Sequence, residues 1–246
     1  MRRPRFDKKK IADFALSLLV LAGTLCLAWM GLTEKRTLPA SASPGITLGD
    51  IPDDACVIII DAGHGGFDGG AVGTETGAIE AELNLSIAKT LADELTKSGF
   101  YVIMTRSGDG ALGDTKSEDM KARGEIIGLE RADAVVSIHI NKFRDRTVSG
   151  PMVFYMKGSE AGKSLADSIM FSLCEKLGRA PRYTNPEDLF VLRVPKAPSV
   201  LIECGFLSNA ADEALLVTPE HRENIAKAAA EGIKNYFAQM KSGDPR

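Results

Sequence analysis

The sequence predicts a three-layer α/β domain, with helices on both sides of a central, largely parallel, twisted sheet, preceded by one N-terminal transmembrane helix. Three observations predict it. From residue 56 onward, short apolar runs alternate with stretches whose apolar residues recur at helical spacing, the pattern of a parallel sheet with crossover helices. The first run, Val57-Ile58-Ile59-Ile60, is apolar at every position, as suits a central strand covered on both faces. Ahead of this body, Phe14 to Leu32 holds no charged residue.

Taken in order, residues 1–10 form a basic cytoplasmic segment, in which Arg2, Arg3, Arg5, Lys8, Lys9 and Lys10 face only Asp7. Residues 11–32 read as a membrane anchor. At 1.5 Å per residue its apolar stretch spans roughly 28 Å, close to the hydrocarbon thickness of a bilayer. The basic residues before it should stay in the cytoplasm, which puts the body on the extracytoplasmic face. The alternative is a cleaved signal peptide and a secreted body. Its only Ala-x-Ala site, Ala40-Ser41-Ala42, lies well past the apolar stretch that cleavage normally follows closely. A lipoprotein site fails because Leu25, a large residue, precedes Cys26. Residues 33–54 carry Pro39, Pro44 and Pro52 without sustained periodicity and read as a linker.

The body, residues 55–242, opens with the Val57–Ile60 strand, which ends at Asp61-Ala62-Gly63. A helix follows from Asn84 to Gly99, with Leu85, Ala88, Leu91 and Leu95 on one face and Gly99 as its stop. Tyr101 to Thr105 is a strand, Ser117 to Arg131 a helix, Ala134 to His139 a strand and Met152 to Met156 another. Leu165, Ile169, Leu173 and Leu177 line the next helix, and Ser199 to Glu203 is the last strand. Thr218-Pro219 caps and starts a final helix that should bury Ile225, Ala229, Ile233, Phe237 and Met240. Cys56, Cys174 and Cys204 fit neither a disulfide framework nor a zinc ribbon and read as small buried residues. The chain's net charge of −3, set against its basic head, leaves an acidic body, which argues against nucleic acid.

Ligands of open α/β sheets bind at the carboxyl ends of strands. His64 stands just past the first strand, His139 ends the third, and Glu203 ends the last, so three groups suited to metal or proton chemistry fall on one rim. Only three histidines exist, and the other, His221, sits in the first turn of the last helix, where exposure is expected. A catalytic zinc typically takes two histidines and a carboxylate and keeps a fourth position for water. Asp68, Glu75, Glu80 and Glu82 are the available carboxylates after His64, and spacing does not choose among them. Acidic residues in a first helical turn also serve simply to complement the helix dipole. The glycines at 63 and 65 lack a third at 68, and no Gly-Lys-Ser/Thr follows, so dinucleotide and P-loop sites are excluded. No Gly-x-Ser-x-Gly elbow surrounds Ser137 or Ser199.

Four stretches, in order, resemble the motifs of the zinc N-acetylmuramoyl-L-alanine amidases: Asp61-Ala62-Gly63-His64-Gly65-Gly66, Glu80-Ala81-Glu82-Leu83-Asn84-Leu85, Val136-Ser137-Ile138-His139-Ile140-Asn141 and Val200-Leu201-Ile202-Glu203-Cys204-Gly205-Phe206-Leu207-Ser208-Asn209. The resemblance runs from about Val57 to Phe237. It implies Zn²⁺ held by His64, Glu80 and His139, with Glu80 rather than Glu82 as the third ligand, and Glu203 as catalytic carboxylate. It also implies structural roles for Arg106 and Arg123 and substrate contacts for Asn141 and Arg193, the latter with a substrate carboxylate. Ala62, Ala81 and Ile140 depart from the usual proline, lysine and small residue, and none of them is a ligand. The stretch Thr115 to Arg123, with the short anchor and no wall-binding repeats, resembles the sporulation amidases, which prepare spore cortex for muramic δ-lactam formation.

The expected substrate is the peptidoglycan glycan strand with its stem peptides, with an accessory activator protein as a further partner. Zinc would polarise the lactyl-alanyl carbonyl and acidify its water, and Glu203 would carry the proton to the leaving amine. Two alternatives remain open on sequence: a zinc peptidase cutting within the stem, and a catalytically silent wall-binding or regulatory module.

Overall fold

The computed structural model describes residues 51–242, so the predicted basic segment, membrane anchor and most of the linker lie outside the described residues. Among the described residues no helix is long and apolar enough to cross a membrane. The elements run β1 (Val57–Ala62), α1 (Glu80–Lys97), β2 (Tyr101–Met104), α2 (Lys116–Ile127), β3 (Ala134–Asn141), β4 (Met152–Met156), α3 (Glu160–Lys176), β5 (Asn185–Glu187), α4 (Phe190–Arg193), β6 (Ser199–Phe206), α5 (Ala210–Leu216) and α6 (Pro219–Ser242).

The six strands form one sheet in the order β2-β1-β3-β6-β4-β5. β2, β1, β3 and β6 are parallel, and β4 turns antiparallel against β6 with β5 parallel beside it. The three-layer, largely parallel expectation holds. Two apolar layers separate by the alternation of side chains along each strand. Ile58, Ile60, Val136, Ile138, Val153, Val200, Ile202 and Cys204 face α1, α3 and α6. Val57, Ile59, Val135 and Leu201 face the other way, where α2 packs over β1 and the short α4 over β6 and β4. This second layer is thin, so the site can open through it.

Several boundaries differ from expectation for physical reasons. β6 runs on to Phe206 and β3 to Asn141, because the two strands keep pairing past His139 and Glu203, with a register shift between His139 and Asn141. His139 and Glu203 therefore lie within strands rather than at their ends. α1 begins at Glu80, four residues earlier than expected; α2 starts at Lys116, fixed by a capping box on Thr115 and Glu118, and stops at Ile127 ahead of its C-cap Gly128. Met240 is 62% exposed, because α6 outruns the body it packs on. His221 is half-buried rather than exposed. All three described cysteines are free; Cys174 and Cys204 are buried, whereas Cys56 is half-buried.

Candidate metal centre

The loop after β1 delivers His64 in a left-handed backbone conformation, φ 61°, the only such non-glycine among the described residues. That conformation is strained for a side chain with a Cβ, so its surroundings must hold it. Arg123, from α2, does so: it donates to the carbonyl of His64, to Ala62 O (2.8 Å) and to Asp61 Oδ1 (2.7 Å). Its Nε donates to Asp119 Oδ2 at 2.8 Å. Arg106, 1% exposed, donates to Ala62 O, Gly63 O and Ala81 O, tying the loop to the start of α1. Both guanidiniums are buried beneath the site, not in it. Burial would raise the Asp61 carboxyl, but the Arg123 charge and a Ser137 hydrogen bond hold it below the ordinary range.

His64, Glu80 and His139 each present a ligand atom, and these atoms lie within 4.8 Å of one another. Glu80 Oε1 is 3.2 Å from His64 Nε2 and 3.0 Å from His139 Nδ1. The two imidazoles meet edge to face, with centroids 5.0 Å apart. Glu80 is fixed by its surroundings: Ala71 N donates to Oε2 (2.7 Å), while Asn84 Nδ2 (3.2 Å) and Ile140 N (3.2 Å) donate to Oε1. Burial pushes the Glu80 carboxyl up, yet hydrogen bonds with the two imidazoles outweigh it and keep the group ionised. Glu82, two residues on and so on the opposite side of the helix, is exposed. Close approach explains a glycine here: a Cβ on Gly63 would sit 2.3 Å from the His139 ring.

Asp68 stands behind His64, its Oδ2 2.9 Å from Nδ1, although off the N–H axis of a finished hydrogen bond. Lys116 Nζ reaches the same oxygen. Burial pushes the Asp68 carboxyl up, but Lys116 and His64 together outweigh it and pull it down to about 2.

Glu203 lies opposite His139 in the β3–β6 register, so the two side chains share one face of the sheet. Its Oε2 is buried without a hydrogen-bond partner among the described residues. Burial pushes the carboxyl from 4.5 up to about 7; the imidazoles of His139 and His64 oppose the rise and the Glu80 charge adds to it. A carboxyl beside the metal-ligand cluster, raised and free to accept, has the properties of a proton carrier.

Residues 58–235 match the N-acetylmuramoyl-L-alanine amidase family. The chain belongs to that family. The amidase is 32% identical over 204 residues to a germination-specific N-acetylmuramoyl-L-alanine amidase of Bacillus subtilis, covering 79% of this chain and 84% of the relative. Its structure resembles that of the CwlD amidase from Clostridioides difficile in complex with the GerS lipoprotein, with TM-score 0.72 and 36% identity over 74% of this chain and 98% of that one. It also resembles the catalytic domain of CwlV, an amidase from Bacillus (Paenibacillus) polymyxa, with TM-score 0.67 and 31% identity over 74% and 98% of the two chains. The amidase is thus an N-acetylmuramoyl-L-alanine amidase acting on peptidoglycan.

The four principal residues come together; the two expected substrate contacts differ. Asn141, half-buried at the end of β3 two residues from His139, accepts a hydrogen bond from Leu207 N at its carbonyl (2.8 Å). Arg193 is exposed and paired with Asp188. Its helix is anchored at the amino end of β6, where Ser199 Oγ donates to Leu192 O, four residues or about 13 Å of strand from Glu203. The structure does not bring Arg193 to the cluster. Sequence reasoning left Asn84 without a role and weighed Asp68 only as a possible ligand; the i,i+4 spacing from Glu80 to Asn84 was the available signal for the first.

Proposed function

We propose that the amidase is a zinc enzyme in which His64, Glu80 and His139 hold the ion and Glu203 moves the proton. The convergence of three ligand atoms from the loop after β1, from α1 and from β3 carries this reading. Two imidazoles and a carboxylate suit Zn²⁺, and the backbone donors on Glu80 give the site a fixed second layer. Zinc bound there would polarise the amide carbonyl and bring the pKa of a water toward 7. Glu203 accepts the proton of the attacking water and returns it to the amine of L-alanine as the bond to the lactyl carbonyl breaks. Arg123 and Arg106 keep the His64 loop in its strained form throughout. Asn141 contacts the substrate beside His139, and Arg193 meets a stem carboxylate well away from the scissile bond.

The biological setting rests on similarity and sequence. The germination-specific relative and the Thr115–Arg123 stretch support a role in spore cortex, removing stems ahead of muramic δ-lactam formation. The basic residues before the apolar stretch 14–32 support an anchored body outside the membrane. A lipoprotein partner such as the one bound to the Clostridioides difficile relative is the model for an accessory protein. Digestion of purified peptidoglycan by the full chain tests the reaction: the products should be stem peptides with a new L-alanine amine and glycan left with free lactyl groups. Shortened stems still attached to glycan would make the protein a stem peptidase instead.

A further inference from the structure

Glu203 is the middle of a row across the sheet. On one side it pairs in register with His139 of β3, and on the other with Met152 of β4. Residues directly opposite on an antiparallel pair point to the same face with Cβ atoms about 5 Å apart. Met152 thus flanks Glu203 on the side away from His139 and His64. The next residues of β4 on that face are Phe154, opposite Leu201, and Met156. All three are half-buried; on the other face Val153 is fully covered and Tyr155, farther along, is half-buried. The covering layer on the Met152 face is thin: α2 lies over β1, and the four-residue α4, tied to the amino end of β6, touches β6 and β4, where Phe154 and Met156 pack partly against the apolar layer. An apolar strip therefore leads from Glu203 down β4 toward exposed Leu189 and Arg193.

The direction of the reaction decides what lies on that strip. Glu203 must reach the nitrogen of the scissile amide, because that nitrogen leaves as the amine of L-alanine. The acyl carbon, which carries the lactyl group and the sugar, then lies toward His139 and His64. Resting on the proposed proton role of Glu203, we infer that the stem peptide leaves the scissile bond across Met152 and Phe154 along β4, and that the glycan lies on the opposite flank, beside His64 and the 56% exposed Phe67. Met152 and Phe154 form a subsite for the first residues of the stem. The L-alanyl methyl group packs on Met152, and an acidic residue further along comes within reach of Arg193.

Steady-state kinetics on a soluble substrate series tests the assignment, with muramoyl peptides bearing one, three or five stem residues and disaccharide chains of one to three repeats. Wild type should gain in kcat/KM as the stem lengthens. Met152→Ala and Phe154→Ala should each lose about tenfold in kcat/KM on the five-residue stem, carried by KM, through lost apolar contact. Much of the advantage of a long stem should disappear, with the dependence on glycan length intact. Met152→Leu, which keeps the volume, should recover most of the loss, and unchanged thermal unfolding shows that the fold survives. If the Met152 and Phe154 variants instead lose the dependence on glycan length, or match wild type on every substrate, the inference falls. Glu203→Gln on the shortest substrate separates the two readings. Turnover there would remove the premise about Glu203 itself, whereas an inactive Glu203→Gln with glycan-dependent Met152 variants would overturn the stem assignment alone.

Discussion

Replacing Glu203 with Gln should make the metal-free protein more stable while it stops catalysis. The carboxyl is buried with one oxygen unpartnered, and burial lifts it from 4.5 to about 7. In the unfolded chain the group ionises near 4.5, in the folded chain only near 7. A raised acid leaves stability unaffected below about pH 4.5, where both states are protonated. It lowers stability progressively from there to pH 7, and the cost is complete at pH 8. The rise corresponds to about 3 kcal/mol, an upper value because the fold can relax around the charge. Glutamine keeps the shape and cannot ionise. The difference in unfolding free energy between the variant and wild type should therefore be small at pH 4.5 and grow by up to about 3 kcal/mol at pH 8. For a body of this size that amounts to roughly 6–12 °C in Tm. Denaturant or thermal melts of chelator-treated protein at the two pH values measure it. Added zinc should shrink the difference, since a nearby cation favours the ionised carboxylate. Turnover should fall by about two to four orders of magnitude, the usual worth of a positioned general base, with zinc still bound. A stability difference that does not change between pH 4.5 and 8 would refute the reasoning about the buried carboxylate.

Gly63→Ala should displace the His139 ring, since a Cβ there would lie 2.3 Å from it; zinc affinity measured by chelator competition should drop with little change in helix content. Arg123→Met leaves Asp61 and Asp119 buried without their cation and should cost about 3–5 kcal/mol in denaturant melts. An unchanged midpoint would show that the buried network does not hold the loop. Asp68→Asn weakens the support behind His64 and should lower zinc affinity by about tenfold or more, with no comparable loss of stability.

The parts of the fold that were legible in sequence are those where burial dictates composition. β1, β2, β3, β4 and β6 are apolar runs because helices or neighbouring strands cover them, and α1 and α3 show their stripes clearly. β5 was invisible: Asn185-Pro186-Glu187 has no apolar signal and is a strand only because β4 offers a free edge, where proline is tolerated. α4 is too short to show a period, and α5 depends on Asn209, whose side chain caps Ala211 N and Asp212 N. At the site, His64 followed from the end of β1, and His139 and Glu203 from the carboxyl-terminal parts of β3 and β6, which run on past them, but Glu80 and Glu82 could not be separated by spacing. The structure separates them because the helix starts at Glu80, turning it inward and Glu82 to solvent. Met240 kept helical spacing yet is exposed, since periodicity does not record where the neighbouring layer ends. The contrast between Glu203, inside the sheet, and Arg193, near the other end of β6, depends on register, which a single sequence does not carry.

Zinc titration of activity tests the central claim most directly. The full-length chain, stripped of metal, should be inactive on peptidoglycan and regain activity in proportion to added Zn²⁺, with a plateau at one ion per chain, while a His139→Ala chain neither binds the ion tightly nor recovers. Full turnover in the stripped wild type, or recovery of the His139→Ala chain at the same stoichiometry, would contradict a centre built from His64, Glu80 and His139.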